Sequence, residues 1–265
     1  MTGPAAFRGG IAAHNPLTEP ASRLICCTFA GGSAMAYAGW PAFMPEGVEV
    51  VAFELPGRGA RFAEPAFDRL PDAVDHLAGL LEAWRDRPFT LYGHSMGAAT
   101  ALELCKRLAE APDRPGAFKP DRLIVSGCAA PHVPSLRPRR LWDMPRDDLL
   151  HELTLLGGLP EEILANDKLL DAFLPTIRAD MRCREEAPAD IRDIAIPIHV
   201  MAGRDDRLVV GTDLGEWQRY TSAATTVTIF DGDHFFIASH RDRALAHVAR
   251  LLSGGGEAAA AAGAA

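Results

Sequence analysis

The 265-residue chain is 48% hydrophobic, enough apolar material for one α/β domain or two small ones. Its formal charge of −8 argues against a general nucleic-acid-binding face, which needs clustered Lys and Arg. No apolar stretch reaches the length of a membrane span, and Met1–His14 has no apolar run of the secretory type. The five cysteines form no C-x-x-C pair, a usage that suits a reducing, cytoplasmic compartment.

Residues 1–20 hold three prolines, two adjacent glycines and no periodicity, and read as a flexible arm. The domain is expected over 21–253. Arg23–Phe29 reads as a strand ending at Ala30-Gly31-Gly32-Ser33, and Val48–Leu55 as a second ending at Pro56-Gly57-Arg58-Gly59. Pro71–Arg85 carries Val74, Leu77, Leu80 and Leu81 on one helical stripe. Phe89–Tyr92 is a third strand, followed by a helix over Ala98–Leu108. Arg122–Ser126, Ile196–Met201 and Thr225–Phe230 read as further strands, and Arg241–Leu252 as the closing helix. Strands alternating with helices predict an α/β fold: a mostly parallel central sheet with helices on both faces. Residues 132–192 break the alternation with helical pieces at 145–156, 160–164 and 168–184. This insertion is expected to form a helical lid, with Trp142, Leu153, Leu156 and Phe173 lining a pocket. Residues 254–265, rich in Ala and Gly, are expected to be disordered.

The chemistry centres on Gly93-His94-Ser95-Met96-Gly97, set between a strand and a helix. In the α/β-hydrolase fold the G-x-S-x-G spacing turns the chain sharply and exposes the serine hydroxyl. A serine needs a base to take its proton, usually a histidine oriented by a carboxylate, and here the order should be Ser, acid, His. His234 directly follows a strand, whereas His240 and His247 sit at or inside the last helix. Asp205 and Asp206 both lie after the fifth predicted strand, and residue physics alone hardly separates them; the usual G-x-x-D-x-x-V register of this loop selects Asp206. The oxyanion of acyl transfer needs amide donors, expected from Met96 and from Ala30, with Gly31 as the next choice.

These pieces resemble the type II thioesterases, the stand-alone editing hydrolases of polyketide and non-ribosomal peptide assembly lines. The resemblance rests on Phe29-Ala30-Gly31-Gly32-Ser33-Ala34, on Glu54-Leu55-Pro56-Gly57-Arg58-Gly59 with Arg61, and on the serine pentapeptide. Ser126-Gly127 with Ala130-Pro131, Gly232 with His234-Phe235-Phe236, and Leu155-Gly157-Gly158-Pro160 complete it over residues 22 to 252. It implies hydrolysis of acyl thioesters on the phosphopantetheine arm of a carrier protein, with Ser95, Asp206 and His234 as the triad and Ala30 and Met96 as oxyanion donors. No cofactor or metal is expected, since the substrate brings the phosphopantetheine. The partners it implies are acyl or peptidyl carrier proteins, and a monomer is the default expectation. Two departures stand out: Cys27-Thr28-Phe29 where the family often has a proline and an aromatic, and Asp233 where it often has glycine.

Arg137, Arg139 and Arg140, at the start of the predicted lid, form a basic run that could receive an acidic carrier protein. Arg58 and Arg61 are expected to hold their own loop through carbonyls and carboxylates. A carboxylesterase, lipase or acyltransferase would share the serine motif but not the L-P-G-R-G segment. A non-catalytic scaffold on this fold would be expected to lose a triad member.

Overall fold

The computed structural model describes residues 6–110, 117–134, 140–159 and 161–254. The predicted strands appear as Ser22–Cys27 (β3), Val48–Phe53 (β4), Phe89–His94 (β5), Pro120–Ser126 (β6), Ile198–Gly203 (β7) and Thr225–Phe230 (β8). All neighbouring pairs among these six are parallel. Ala6–Arg8 (β1) and Ile11–Ala13 (β2) add an antiparallel hairpin, so the sheet runs β1-β2-β4-β3-β5-β6-β7-β8.

The hairpin corrects the expectation of a loose arm over residues 1–20. Gly9 and Gly10 both have positive φ, at 55° and 101°. Two such residues make the tight turn that matches strand twist, and glycine adopts it without steric cost. Ile11 and Ala13 are each 1% exposed, and Gly10 C=O accepts from Glu54 N–H at 2.8 Å. The disordered tail expected over 254–265 lies, apart from Gly254, outside the described residues.

Period-two alternation divides the sheet between two cores. Ile25, Cys27, Val51, Phe53, Leu123 and Val125 face one cluster, shared with Leu70–Leu81 (α1) and Met96–Glu110 (α2). Leu24, Cys26, Val50, Ala52 and Ile124 face the other, shared with Arg241–Leu252 (α7). Strands buried on both faces are apolar at successive positions, as parallel strands between helices must be.

The insertion supplies Arg146–Leu156 (α3), Glu161–Leu164 (α4) and Asp167–Glu185 (α5) between β6 and β7. Gly157, at φ 72°, ends α3 with its N–H on Leu153 and Thr154 carbonyls, while Asn166 caps α5. Leu149, Leu153 and Leu156 of α3, Leu174 and Ile177 of α5, and Leu141 from the turn before α3 form a third core within the insertion. Burying each such leucine contributes about 1.5–3 kcal/mol. Among the described residues, no helix is long and apolar enough to cross a membrane.

Candidate active site

The loops at the carboxyl ends of the parallel strands converge on one cavity, where ligands of such sheets bind. The chain turns from β5 into α2 through Ser95, which has φ 56°, a conformation that L-residues other than Gly rarely adopt. The two glycines of the pentapeptide are both steric requirements. A Cβ on Gly93 would sit 2.0 Å from Gly97 O, and one on Gly97 would sit 2.2 Å from Cys27 O. The Ser95 amide donates to Ser126 O at 2.8 Å, tying the turn to β6.

His234 follows β8, and its Nδ1 lies 2.9 Å from Asp206 Oδ2. Asp206 is 0% exposed and His234 3%. The other oxygen of Asp206 accepts the Leu208 amide at 2.9 Å, so both carboxylate oxygens are engaged. Asp205 is exposed, and its backbone N–H donates to Gly232 O at 3.0 Å. Geometry thus separates two residues that residue physics alone hardly distinguishes, apart from the loop register that favours Asp206. The loops after β7 and β8 pack so closely that a Cβ on Gly203 would meet Asp233 O at 2.2 Å. With Nδ1 turned to Asp206, the far nitrogen Nε2 is the one left for proton transfer. Ser95 and His234 both line the cavity, whereas His240 and His247 do not.

His94 packs against His234, with ring centroids 4.8 Å apart, and bonds Ser126 Oγ through Nδ1. Burial, and then the neighbouring His234, hold its pKa well below the usual histidine range, so His94 stays neutral. Gly127, at the end of β6, leaves room for both rings: a Cβ there would meet His94 at 2.6 Å and His234 at 3.2 Å.

The donor loop follows β3. Gly31 N–H, at φ 74°, is bound to Asp180 Oδ2 at 2.7 Å and is therefore committed elsewhere. Among the described residues, the Ala30 and Met96 amides have no protein acceptor. Gly32 N–H closes the turn on Phe29 O at 2.9 Å.

The cavity measures about 760 Å³. Its apolar wall comes from the inserted helices: Leu153, Leu156, Ile163, Phe173, Ile177 and Met181. Its lining also includes the polar side chains of His132, Arg140, Arg184 and Glu185. Trp142 departs from expectation. It lies outside the lining, with the Arg182 guanidinium 5.1 Å from its ring and its carbonyl accepting from Arg178. Arg140 borders the cavity and pairs with Glu186 at 3.1 Å, while Arg137 and Arg139 lie outside the described residues. Phe29 also lines the cavity and packs edge-on to Phe235 at 5.2 Å. Asp233 caps its own turn, accepting Phe235 N–H at 2.9 Å. Among the described residues, no three His, Cys, Asp or Glu side chains are grouped to hold a metal ion.

One residue with a place in this site, Asp180, carried no sequence signal of its own. Arg58 announces a buried cation that needs a carboxylate. Nothing in the linear order says which of the 35 acidic residues supplies it.

The model of the Thioesterase domain matches residues 22–252. The chain belongs to the thioesterase family. It has the α/β-hydrolase fold and is a hydrolase by that membership. The gramicidin S biosynthesis protein GrsT of Aneurinibacillus migulanus is 32% identical over 216 residues, 81% of this chain and 82% of that protein. RedJ, a thioesterase from the prodiginine biosynthetic pathway of Streptomyces coelicolor, superposes with a TM-score of 0.79 at 32% identity, covering 87% of this thioesterase and 90% of that chain. YbtT, a type II thioesterase from the yersiniabactin NRPS/PKS pathway, superposes with a TM-score of 0.79 at 30% identity, covering 91% and 97%.

Proposed function

We propose that this thioesterase is a type II enzyme that hydrolyses acyl groups from the phosphopantetheine arm of carrier proteins, clearing aberrant or stalled units from a polyketide or non-ribosomal peptide assembly line. The observation that carries the reading is the buried His234–Asp206 pair in the loop cluster around Ser95. A cavity walled by the inserted helices leads to that serine. The pathway names of GrsT, RedJ and YbtT support the carrier-bound substrate.

In this reading Ser95 Oγ attacks the thioester carbonyl while His234 Nε2 takes its proton. Asp206 holds the imidazole tautomer and stabilises the imidazolium. The Ala30 and Met96 amides receive the oxyanion, and the thiol leaves with the proton from His234. Water, activated by the same histidine, then releases the acid from the acyl-enzyme. The scheme uses the chain's own groups and calls on no added cofactor. Arg140, with Arg137 and Arg139, is proposed as the docking point for the acidic carrier protein. A local basic patch has to offset the repulsion from a net charge of −8.

The test is intact-mass spectrometry of an acylated carrier protein incubated with wild type and with Ser95→Ala. Deacylation by wild type, at least about 10³-fold faster than by the variant, is the expected result. Cleavage of simple esters without release from the carrier would replace this reading with that of a carboxylesterase.

A further inference from the structure

The oxyanion loop is held from outside by an ion pair that joins it to the inserted helices. Arg58, in the loop after β4, forms a two-pronged pair with Asp180 of α5, at 2.7 Å from Nη1 to Oδ2 and 2.8 Å from Nη2 to Oδ1. Both side chains are almost completely buried, 3% and 2% exposed. Asp180 Oδ2 also accepts the Gly31 amide at 2.7 Å, and Arg58 Nη1 reaches Gly32 O at 3.3 Å. Arg58 contacts Pro56 O as well, and Thr176 Oγ1 donates to Gly57 O at 3.0 Å, so α5 grips the Arg58 loop twice.

The consequence falls on Ala30. A peptide unit is planar and trans, so fixing its carbonyl fixes the direction of its N–H. Phe29 O is held by Gly32 N–H, which aims the Ala30 amide away from the turn. The next unit is held by the Gly31 amide on Asp180. Both peptide planes flanking Ala30 are thus pinned, one by the turn and one by the ion pair. Oxyanion donors work by being aimed before charge develops, and loss of aim erodes the benefit. A buried pair is weak evidence for stability because desolvation offsets its attraction. A positioning role gives this pair a reason that stability alone does not.

We propose that Arg58 and Asp180 are positioning residues that aim the Ala30 amide at the developing oxyanion, the carboxylate being supplied by the inserted helix α5. The proposal rests on the serine-hydrolase reading of Ser95 and on Ala30 as a donor.

It is tested in the full chain with Asp180→Asn, Arg58→Gln and the double variant. Folding is followed by circular dichroism and thermal melting. Kinetics are measured with an acyl-N-acetylcysteamine thioester, and the rate of Ser95 phosphonylation by a fluorophosphonate is read by intact mass. Each single variant is expected to lose roughly 30- to 100-fold in kcat and in phosphonylation rate, scaled from the loss of one oxyanion donor. KM should stay within about 3-fold, and the double variant should be no slower than the worse single one, because the pair acts as a unit. The pH profile of kcat/KM should keep its midpoints, because the His234–Asp206 pair is untouched. Folded variants with kcat within about 3-fold of wild type, a loss carried by KM, or a shifted pH profile would each overturn the proposal. Should Asp180→Asn or Arg58→Gln not fold, Arg58→Lys keeps the charge but removes the fork. A loss of about 5- to 10-fold in kcat is then expected, and an unchanged rate would sink the idea. The phosphonylation arm separates the two levels of inference. If wild type is phosphonylated at Ser95 but cleaves no thioester, the thioesterase reading fails while the clamp is still tested.

Discussion

At the scale of single residues, burial decides which titratable groups stay neutral. Desolvation, followed by the Arg122 guanidinium and His247, lowers the His199 pKa to about 4. His94 is depressed as well, first by burial and then by His234. An unfolded chain protonates both near the ordinary histidine value of about 6.5. Below that pH the unfolded state binds protons that the folded state refuses. Stability present above about 6.5 is therefore lost as pH falls from there toward 4. The melting temperature of wild type should drop across this window, and His199→Gln should drop less. Parallel curves for the two proteins would contradict the assignment. The same burial separates Asp206, 0% exposed and bonded to His234, from the exposed Asp205.

At the scale of elements, the strand–turn–helix around Ser95 depends on backbones approaching where no side chain fits. Gly97→Ala would push a methyl to within 2.2 Å of Cys27 O, a backbone atom that cannot rotate away. The expected cost is about 3 kcal/mol, equivalent to a melting temperature lower by roughly 6–12 °C, with Ser95 reactivity lost alongside. A melting temperature unchanged in Gly97→Ala would show that α2 can shift without penalty. The element boundaries follow the same local logic. Apolar runs locate the six parallel strands to within a few residues, and Gly157 ends α3 in a left-handed conformation. The N-terminal hairpin is hard to see in composition, because Gly9-Gly10 stands among prolines that favour loop. Two adjacent glycines between short apolar runs are also a two-residue hairpin signal.

At the scale of the whole molecule, the sheet supplies the chemistry and the inserted helices supply the apolar wall. Arg140 lies at the border of that cavity in a chain whose overall charge is −8. If Arg139 and Arg140 receive an acidic carrier, reversing both charges to Glu should raise KM for an acyl-carrier protein about 10-fold or more. KM for an acyl-N-acetylcysteamine thioester should stay within about 2-fold. The effect should shrink with added salt, since exposed charges are screened over about 10 Å at 0.1 M. Equal effects on both substrates would remove the docking role.

The sequence by itself determined what short-range rules control. These are the alternation of strands and helices, the glycines that permit the turn at Ser95, and the chain order in which a serine, an acidic pair and a histidine each follow a strand. Each depends on residues a few positions apart or on a motif whose geometry is local. Only the tertiary structure decided what long-range packing controls. It buried Asp206 beside His234 while leaving Asp205 exposed, and it committed the Gly31 amide to Asp180, leaving that of Ala30 without a protein acceptor among the described residues. It set Trp142 outside the cavity against Arg182 and joined Arg58 to a carboxylate 122 residues away. Linear order carries no record of such pairings, because a buried charge needs a partner nearby in space and gives no indication of where along the chain that partner lies.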